Sequence, residues 1–318
     1  MQISQNLSQK ERIDKYEADK NTIADFKDHL KKFVDHLSPQ ENAKNKPLIF
    51  FIDELDRCRP TYAIDLLEKI KHLFDVKGII FVLAIDKVQI GHSIGSIYGS
   101  NMDIDGYLRR FFDLEYRLPD PPRADFCASL YDRFNLPELA SGRTDAADAL
   151  REFIEAFSKI SEIFQLSLRT IEQCFARFNI VVRTTPTRGH LLPSLLAFLI
   201  ALRSRDFQLF SSFSRGTPDM EGVIRLINEH PRGQEYWDSF YGIELEAHYA
   251  VSKGTRLDFS KGAEPHRRAL EKYGQDNPQG KRAEQILSLI THLQRINAYG
   301  GLSFLTRRIE LTEQFTLP

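Results

Sequence analysis

Asp53, Glu54 and Asp56 stand together at the end of an apolar run, Leu48 to Ile52, inside the stretch Pro-Leu-Ile-Phe-Phe-Ile-Asp-Glu-Leu-Asp-Arg-Cys-Arg-Pro that begins at Pro47. Carboxylate oxygens set side by side in this way can hold magnesium, and an acid next to the metal ligand can polarise an attacking water. A second run, Ile79 to Ile85, also ends in an acid, Asp86. Runs this apolar suit strands buried on both faces of a parallel sheet. Ligands of such sheets sit outside the carboxyl ends of the strands, which is where these acids fall.

The elements that must position them follow from spacing. Ile64, Leu67, Ile70, Leu73 and Phe74 mark an amphipathic helix between the two strands, with Thr61 as its expected N-cap. Lys77-Gly78 then turns the chain into the second strand. Two strands joined by one helix predict a βαβ unit with a parallel pairing and a right-handed crossover. Upstream, Ile23, Phe26, Leu30, Phe33, Val34 and Leu37 recur at helical spacing, and Ser38-Pro39 stops that helix. Residues 1–20 show no sustained apolar period and are expected to be poorly ordered or an exposed helix. Downstream, a helix is expected from Lys87 to Tyr98 and a short one from Tyr107 to Phe112 bearing Arg109 and Arg110. Leu114, Tyr116 and Leu118 alternate with Glu115 and Arg117 as in a strand, which Pro119, Pro121 and Pro122 would end.

Beyond Pro122 apolar spacings of three and four predict helices over Phe126 to Phe134, Ala146 to Phe164, Leu168 to Val182, Leu191 to Phe207, Met220 to Ile227 and Arg282 to Ala298, with a further one after Leu302. Residues 232–280 read as loops with short helices.

Residues 47–122 resemble the KAP family of P-loop NTPases. That family shows an apolar strand followed by Asp-(Asp/Glu)-Leu-Asp-Arg-Cys-x-Pro, a second strand ending Ala-Ile-Asp, then Tyr-Leu-(Arg/Lys) and Leu-Pro-x-Pro. Here these are Ile52 to Pro60, Leu83-Ala84-Ile85-Asp86, Tyr107-Leu108-Arg109 and Leu118-Pro119-Asp120-Pro121, in the same order. The resemblance implies a Walker B strand with Asp53 as the magnesium ligand of bound ATP and Glu54 as the group that orients or deprotonates the attacking water. Asp56 and Arg57 would support them. It further implies a sensor role for Asp86 and a charge-stabilising arginine at Arg109 or Arg110, acting across a subunit boundary in an oligomer. Arg169, in Ser167-Leu168-Arg169-Thr170, resembles a sensor arginine that reaches the nucleotide from a lid.

A phosphate loop requires Gly-x-x-x-x-Gly-Lys-(Ser/Thr), whose backbone amides cradle the phosphates. The 46 residues before the strand contain no glycine; Gly91, Gly95 and Gly99 precede no Lys-(Ser/Thr), and Gly280-Lys281 runs into Arg282. Three accounts are open: a piece of a longer NTPase, a loop supplied by a complementing chain, or a smaller rearranged sheet with a structural or regulatory role. The expected architecture is α/β, a partial P-loop NTPase sheet lacking the Walker A strand, followed by helical parts. Its divisions are an NTPase core over residues 1–122, a helical lid over 123–188 and a helical C-terminal region over 189–318. Nucleotide binding by these residues alone is expected to be weak or absent.

Composition narrows the partners. A formal net charge of -1 gives no global attraction to nucleic acid or membrane. The basic stretch Arg177 to Arg188, with Phe178 interleaved, contains no legible groove-reading or stacking module, so nucleic acid is not an expected partner. The longest apolar stretch, Leu191 to Leu202, is interrupted by Pro193 and is too short to span a bilayer, which predicts a buried helix instead. Cys58, Cys127 and Cys174 have neither metal nor disulfide spacing, in keeping with a cytoplasmic protein. The nine histidines show no metal spacing, and no Gly-x-Ser-x-Gly elbow occurs.

Overall fold

A computed structural model describes residues 9–37, 47–73, 76–140, 146–185, 191–254, 260–296 and 301–311. It divides into two compact units, Met1–Leu118 and Pro119–Pro318.

The first unit begins with helix α1 (Gln9–Leu37) and continues with β1 (Leu48–Asp53), a 3-10 turn (Leu55–Arg57), α2 (Pro60–Lys71), β2 (Ile79–Ala84), α3 (Lys87–Tyr98) and α4 (Ile104–Leu108). β1 and β2 pair in parallel from Leu48↔Ile79 to Asp53↔Ala84, completing the βαβ unit. Helix α2 starts one residue before the expected cap: Pro60 occupies the first turn, where a missing N–H costs nothing, and Arg59 is the cap residue. Phe74, the last residue of the expected α2 stripe, and residues 38–46 lie outside the described residues.

Side chains alternate across the two strands, so the register defines two faces. On one face Leu83 packs with Ile85 against Ala63, Ile64 and Leu67 of α2 and Ile90 and Ile94 of α3, and Phe50 stacks on Phe81 at 5.6 Å. On the other, Ile49, Phe51, Ile80 and Val82 are 48, 74, 46 and 37% exposed. The expectation of burial on both faces is therefore corrected: helices cover one face, and among the described residues no element covers the other. The expected strand over Leu114 to Leu118 is also not formed. Leu114, Tyr116 and Leu118 are 87, 76 and 80% exposed, because no neighbouring strand offers that segment a ladder. Helix α4 lies earlier than the expected Tyr107 to Phe112 helix, since the Asp103 carboxylate accepts the Gly106 N–H at 2.9 Å and starts the helix at Ile104.

The second unit is helical among the described residues: α5 (Arg123–Arg133), α6 (Leu136–Ala140), α7 (Ala146–Ile163), α8 (Leu168–Thr184), α9 (Pro193–Arg205), α10 (Phe207–Ser214), α11 (Met220–Asn228), α12 (Gly233–Asp238), α13 (Phe240–Ser252), α14 (Ser260–Tyr273), α15 (Pro278–Arg295) and α16 (Gly301–Leu311). Phe153 and Phe157 of α7 and Phe175 and Phe178 of α8 form an aromatic centre, with Phe153 stacked on Phe178. Leu195 to Leu202 of α9 are buried all round, as an apolar helix threaded through a core must be. No described helix is long and apolar enough to cross a membrane.

The reading of residues 232–280 as loops with short helices fits α12 and is corrected by the longer α13 and α14. Ile243, Ala247, Ala250 and Val251 of α13 bury against Ile286, Ile290 and Leu293 of α15, and Ala263 of α14 joins them. Gly262 permits that contact, since a Cβ there would stand 1.8 Å from the Ala250 carbonyl oxygen. The whole segment is thus held by tertiary burial that scattered apolar residues do not announce.

Candidate functional site

The chain leaves β1 at Asp53 and reverses at Glu54, whose φ of 60° and ψ of 23° are left-handed. A side chain at such a position is strained and persists only where its surroundings fix it, and here they do. The Asp53 carboxylate accepts the Glu54 N–H at 2.7 Å, and the Glu54 carbonyl accepts the Arg57 N–H at 3.0 Å. The Cys58 thiol donates to the same carbonyl at 3.7 Å. Leu55, 1% exposed, pins the turn into the α2–α3 core, and Pro60 opens α2 immediately after. Arg57, Cys58 and Pro60 of the motif are therefore the fasteners of a reversal that presents acids.

The acids themselves face outward. Asp53 and Glu54 are exposed and Asp56 is half-buried. Glu54 is not free: its Oε1 accepts from Arg57 at 2.6 Å. Asp53 has one oxygen engaged by the turn, and its other oxygen bonds to no described residue. Magnesium bound through nucleotide phosphates takes one or two carboxylates and keeps waters, so an exposed Asp53 fits that ion without a larger ligand cluster. Among the described residues no group of three or more His, Cys, Asp or Glu could hold a metal alone.

Asp86 follows β2 on the same sheet edge, two residues past Ala84, the partner of Asp53. Its carboxylate caps α3, accepting from Val88 N–H at 2.9 Å and Gln89 N–H at 3.2 Å. Arg109 and Arg110 lie in the turn after α4, exposed, with no side-chain bond to any described residue. Their platform is firm. Tyr107 is buried against Phe111 and donates to Glu68 Oε1 at 3.1 Å, and Tyr98 donates to the same oxygen at 3.3 Å. Burial, reinforced by these hydrogen bonds, pushes the Tyr107 phenol well above its usual range.

Lys87 was not singled out by the sequence, although it directly follows Asp86. Its ammonium pairs with Asp105 at 3.0 Å and Glu115 at 2.9 Å, and those hydrogen bonds raise its pKa. The pairs tie the end of β2 to α4 and to the segment after it. Asp53, Glu54, Asp56, Asp86, Arg109 and Arg110 all belong to the first unit. Arg169 belongs to the second, exposed in the first turn of α8, where the Ser167 hydroxyl accepts the Thr170 N–H at 3.2 Å.

A family model described as the KAP family P-loop domain matches residues 4–185, more than half of the chain. No curated protein and no solved structure matches it.

Proposed function

The chain belongs to the KAP family of P-loop domains, and from that premise we propose that the acids ending β1 are the metal-and-water half of an ATP-hydrolysing site. The observation that carries the proposal is the Asp53–Glu54 reversal itself, a strained, fully fastened turn at the carboxyl end of a parallel strand. Asp53 would hold magnesium, which would supply neutralisation of the phosphate charge. Glu54, released from Arg57, would orient the attacking water and take its proton. Asp56 would support the turn, and Asp86 would touch that water or the terminal phosphate. Arg109 or Arg110 would offset charge on the transferring phosphoryl group, within an oligomer of this chain, and Arg169 would do so from the helical lid.

No Gly-x-x-x-x-Gly-Lys-(Ser/Thr) loop that could cradle the phosphates occurs in these 318 residues. Two observations support this half-site reading. The open face of Ile49, Phe51, Ile80 and Val82 is the apolar surface a further strand and helix would cover. The Leu114–Leu118 segment, held beside the end of β2 by Lys87–Glu115, has the alternation of a strand still lacking its neighbour.

The DNA immediately upstream of the start codon tests the proposal. An in-frame or frameshifted Gly-x-x-x-x-Gly-Lys-(Ser/Thr) supports it, and a coding frame without one favours the alternative, a non-catalytic regulatory or scaffold module derived from such an NTPase. Asp86 serving as a helix cap and Glu54 engaged by Arg57 favour that second reading. Under it, Asp53→Ala and Glu54→Gln would leave every cellular phenotype unchanged.

A further inference from the structure

Residues 114–118, Leu-Glu-Tyr-Arg-Leu, mirror one another about Tyr116, with a leucine at each end and an acid and a base between. All of them are exposed, and no backbone N–H or carbonyl in the segment is bonded to any described residue. Glu115 alone is held, its two oxygens accepting from the Lys87 ammonium at 3.1 and 2.9 Å. Pro119 has no N–H and bounds the segment on its C-terminal side. In an extended conformation Leu114, Tyr116 and Leu118 share one face, Glu115 and Arg117 share the other, and the ladder groups lie open to a second strand.

The order of charges selects that strand. Directly opposed residues stabilise a ladder when their charges are opposite or both are apolar, and like charges destabilise it. Two copies of the segment paired antiparallel about Tyr116 set Leu114 against Leu118, Glu115 against Arg117 and Tyr116 against Tyr116. Centring the pair on Glu115 would oppose that acid to itself, and centring it on Arg117 would oppose two guanidinium groups. Centring between two residues would turn the apolar face of one strand onto the charged face of the other. A parallel pair in register would stack both like charges. One register of the segment with itself thus satisfies every position.

We infer that residues 114–118 join two copies of the chain as an antiparallel strand pair about a two-fold axis. Arg117 makes no ion pair with a described residue, so its guanidinium is free to meet Glu115 of the other copy. Glu115 keeps Lys87 as well, because a carboxylate has lone pairs for both cations. A strand has two ladder edges, so a copy on one leaves the other for the neighbour that the half-site reading supplies. The pairing itself needs no nucleotide. Its small area belongs to the class of interfaces that form weakly and reversibly.

Sedimentation velocity of the full chain over a concentration series tests this, and a reversible monomer–dimer equilibrium is expected. Glu115→Arg alone and Arg117→Glu alone each place like charges opposite one another at both charged pairs. Each should weaken the dimer by about tenfold or more. Mixed in equal amounts, the two single variants are complementary again, one presenting two bases and the other two acids, and should form a heterodimer. Glu115→Arg with Arg117→Glu in one chain should restore the homodimer. Arg117→Glu is expected to leave the urea unfolding midpoint unchanged, which separates lost association from lost folding. A chain that stays monomeric at every concentration would overturn the inference. So would a dimer that either single reversal leaves intact, or a mixture no more associated than its two components.

Discussion

Glu54 combines strain and chemistry in one residue. Its left-handed backbone, φ 60°, is the conformation glycine adopts without penalty. Glu54→Gly is therefore expected to be more stable than Glu54→Ala by about 1 kcal/mol in urea unfolding, both having lost the Arg57 pair. Equal stabilities would mean that the turn is not held as described. A second prediction concerns His266 of α14. Burial, outweighing the attraction of Glu246, lowers its pKa from 6.5. The unfolded chain therefore takes up a proton near pH 6.5 that the folded chain resists. Stability is present above that pH and lost as pH falls toward the lowered value. His266→Gln should flatten the loss of unfolding midpoint below pH 6.5, and an unchanged pH profile would remove His266 from the account. Glu152 runs in the opposite sense. Burial, outweighing the Ser194 hydrogen bond that lowers it, raises its pKa from 4.5, so its ionised form costs stability at neutral pH, and Glu152→Gln should be no less stable there.

The two faces of the sheet call for opposite responses. Leu55 is buried under α2 and α3, and Leu55→Ala should cost about 2–5 kcal/mol in chemical unfolding. Phe51 has no cover among the described residues, and Phe51→Ser should change stability by no more than about 0.5 kcal/mol. If Phe51→Ser proves as costly as Leu55→Ala, some element does cover that face. In sequence Phe51 lies inside the apolar run and Leu55 among the acids that follow it, yet Leu55 is the buried one, which marks where the legible part of the fold ends. Periodicity carried α3, α7 and α8 closely, because each buries a stripe whose spacing is local, and α9 followed from its continuous apolar run. It also carried β1, β2 and the acids at their ends. The 114–118 segment alternates well and forms no strand, because strand formation depends on a neighbour that spacing does not reveal. Residues 232–280 read in sequence as loops with short helices, and the full length of α13 and α14 is hidden because their burial rests on α15, about 40 residues away in the case of α13, and on the close approach at Gly262. The left-handed Glu54 and the Lys87–Glu115 pair were equally hidden, one being a backbone conformation and the other a contact across 28 residues.

At the scale of the molecule, the first unit has a sheet covered on one side and the second a core closed on all sides. The aromatic centre of the second unit should make Phe153→Ala cost about 3–5 kcal/mol, read as a lowered urea midpoint for that unit. In the first unit Ile49, Phe51, Ile80 and Val82 stay exposed beside the acids that end β1. The central claim is that Asp53 and Glu54 complete a site whose phosphate-cradling loop these 318 residues do not encode. Calorimetric titration of the purified chain with magnesium and ATP tests it most directly. The account expects no saturable binding in the micromolar range, and micromolar binding by the chain alone would contradict it.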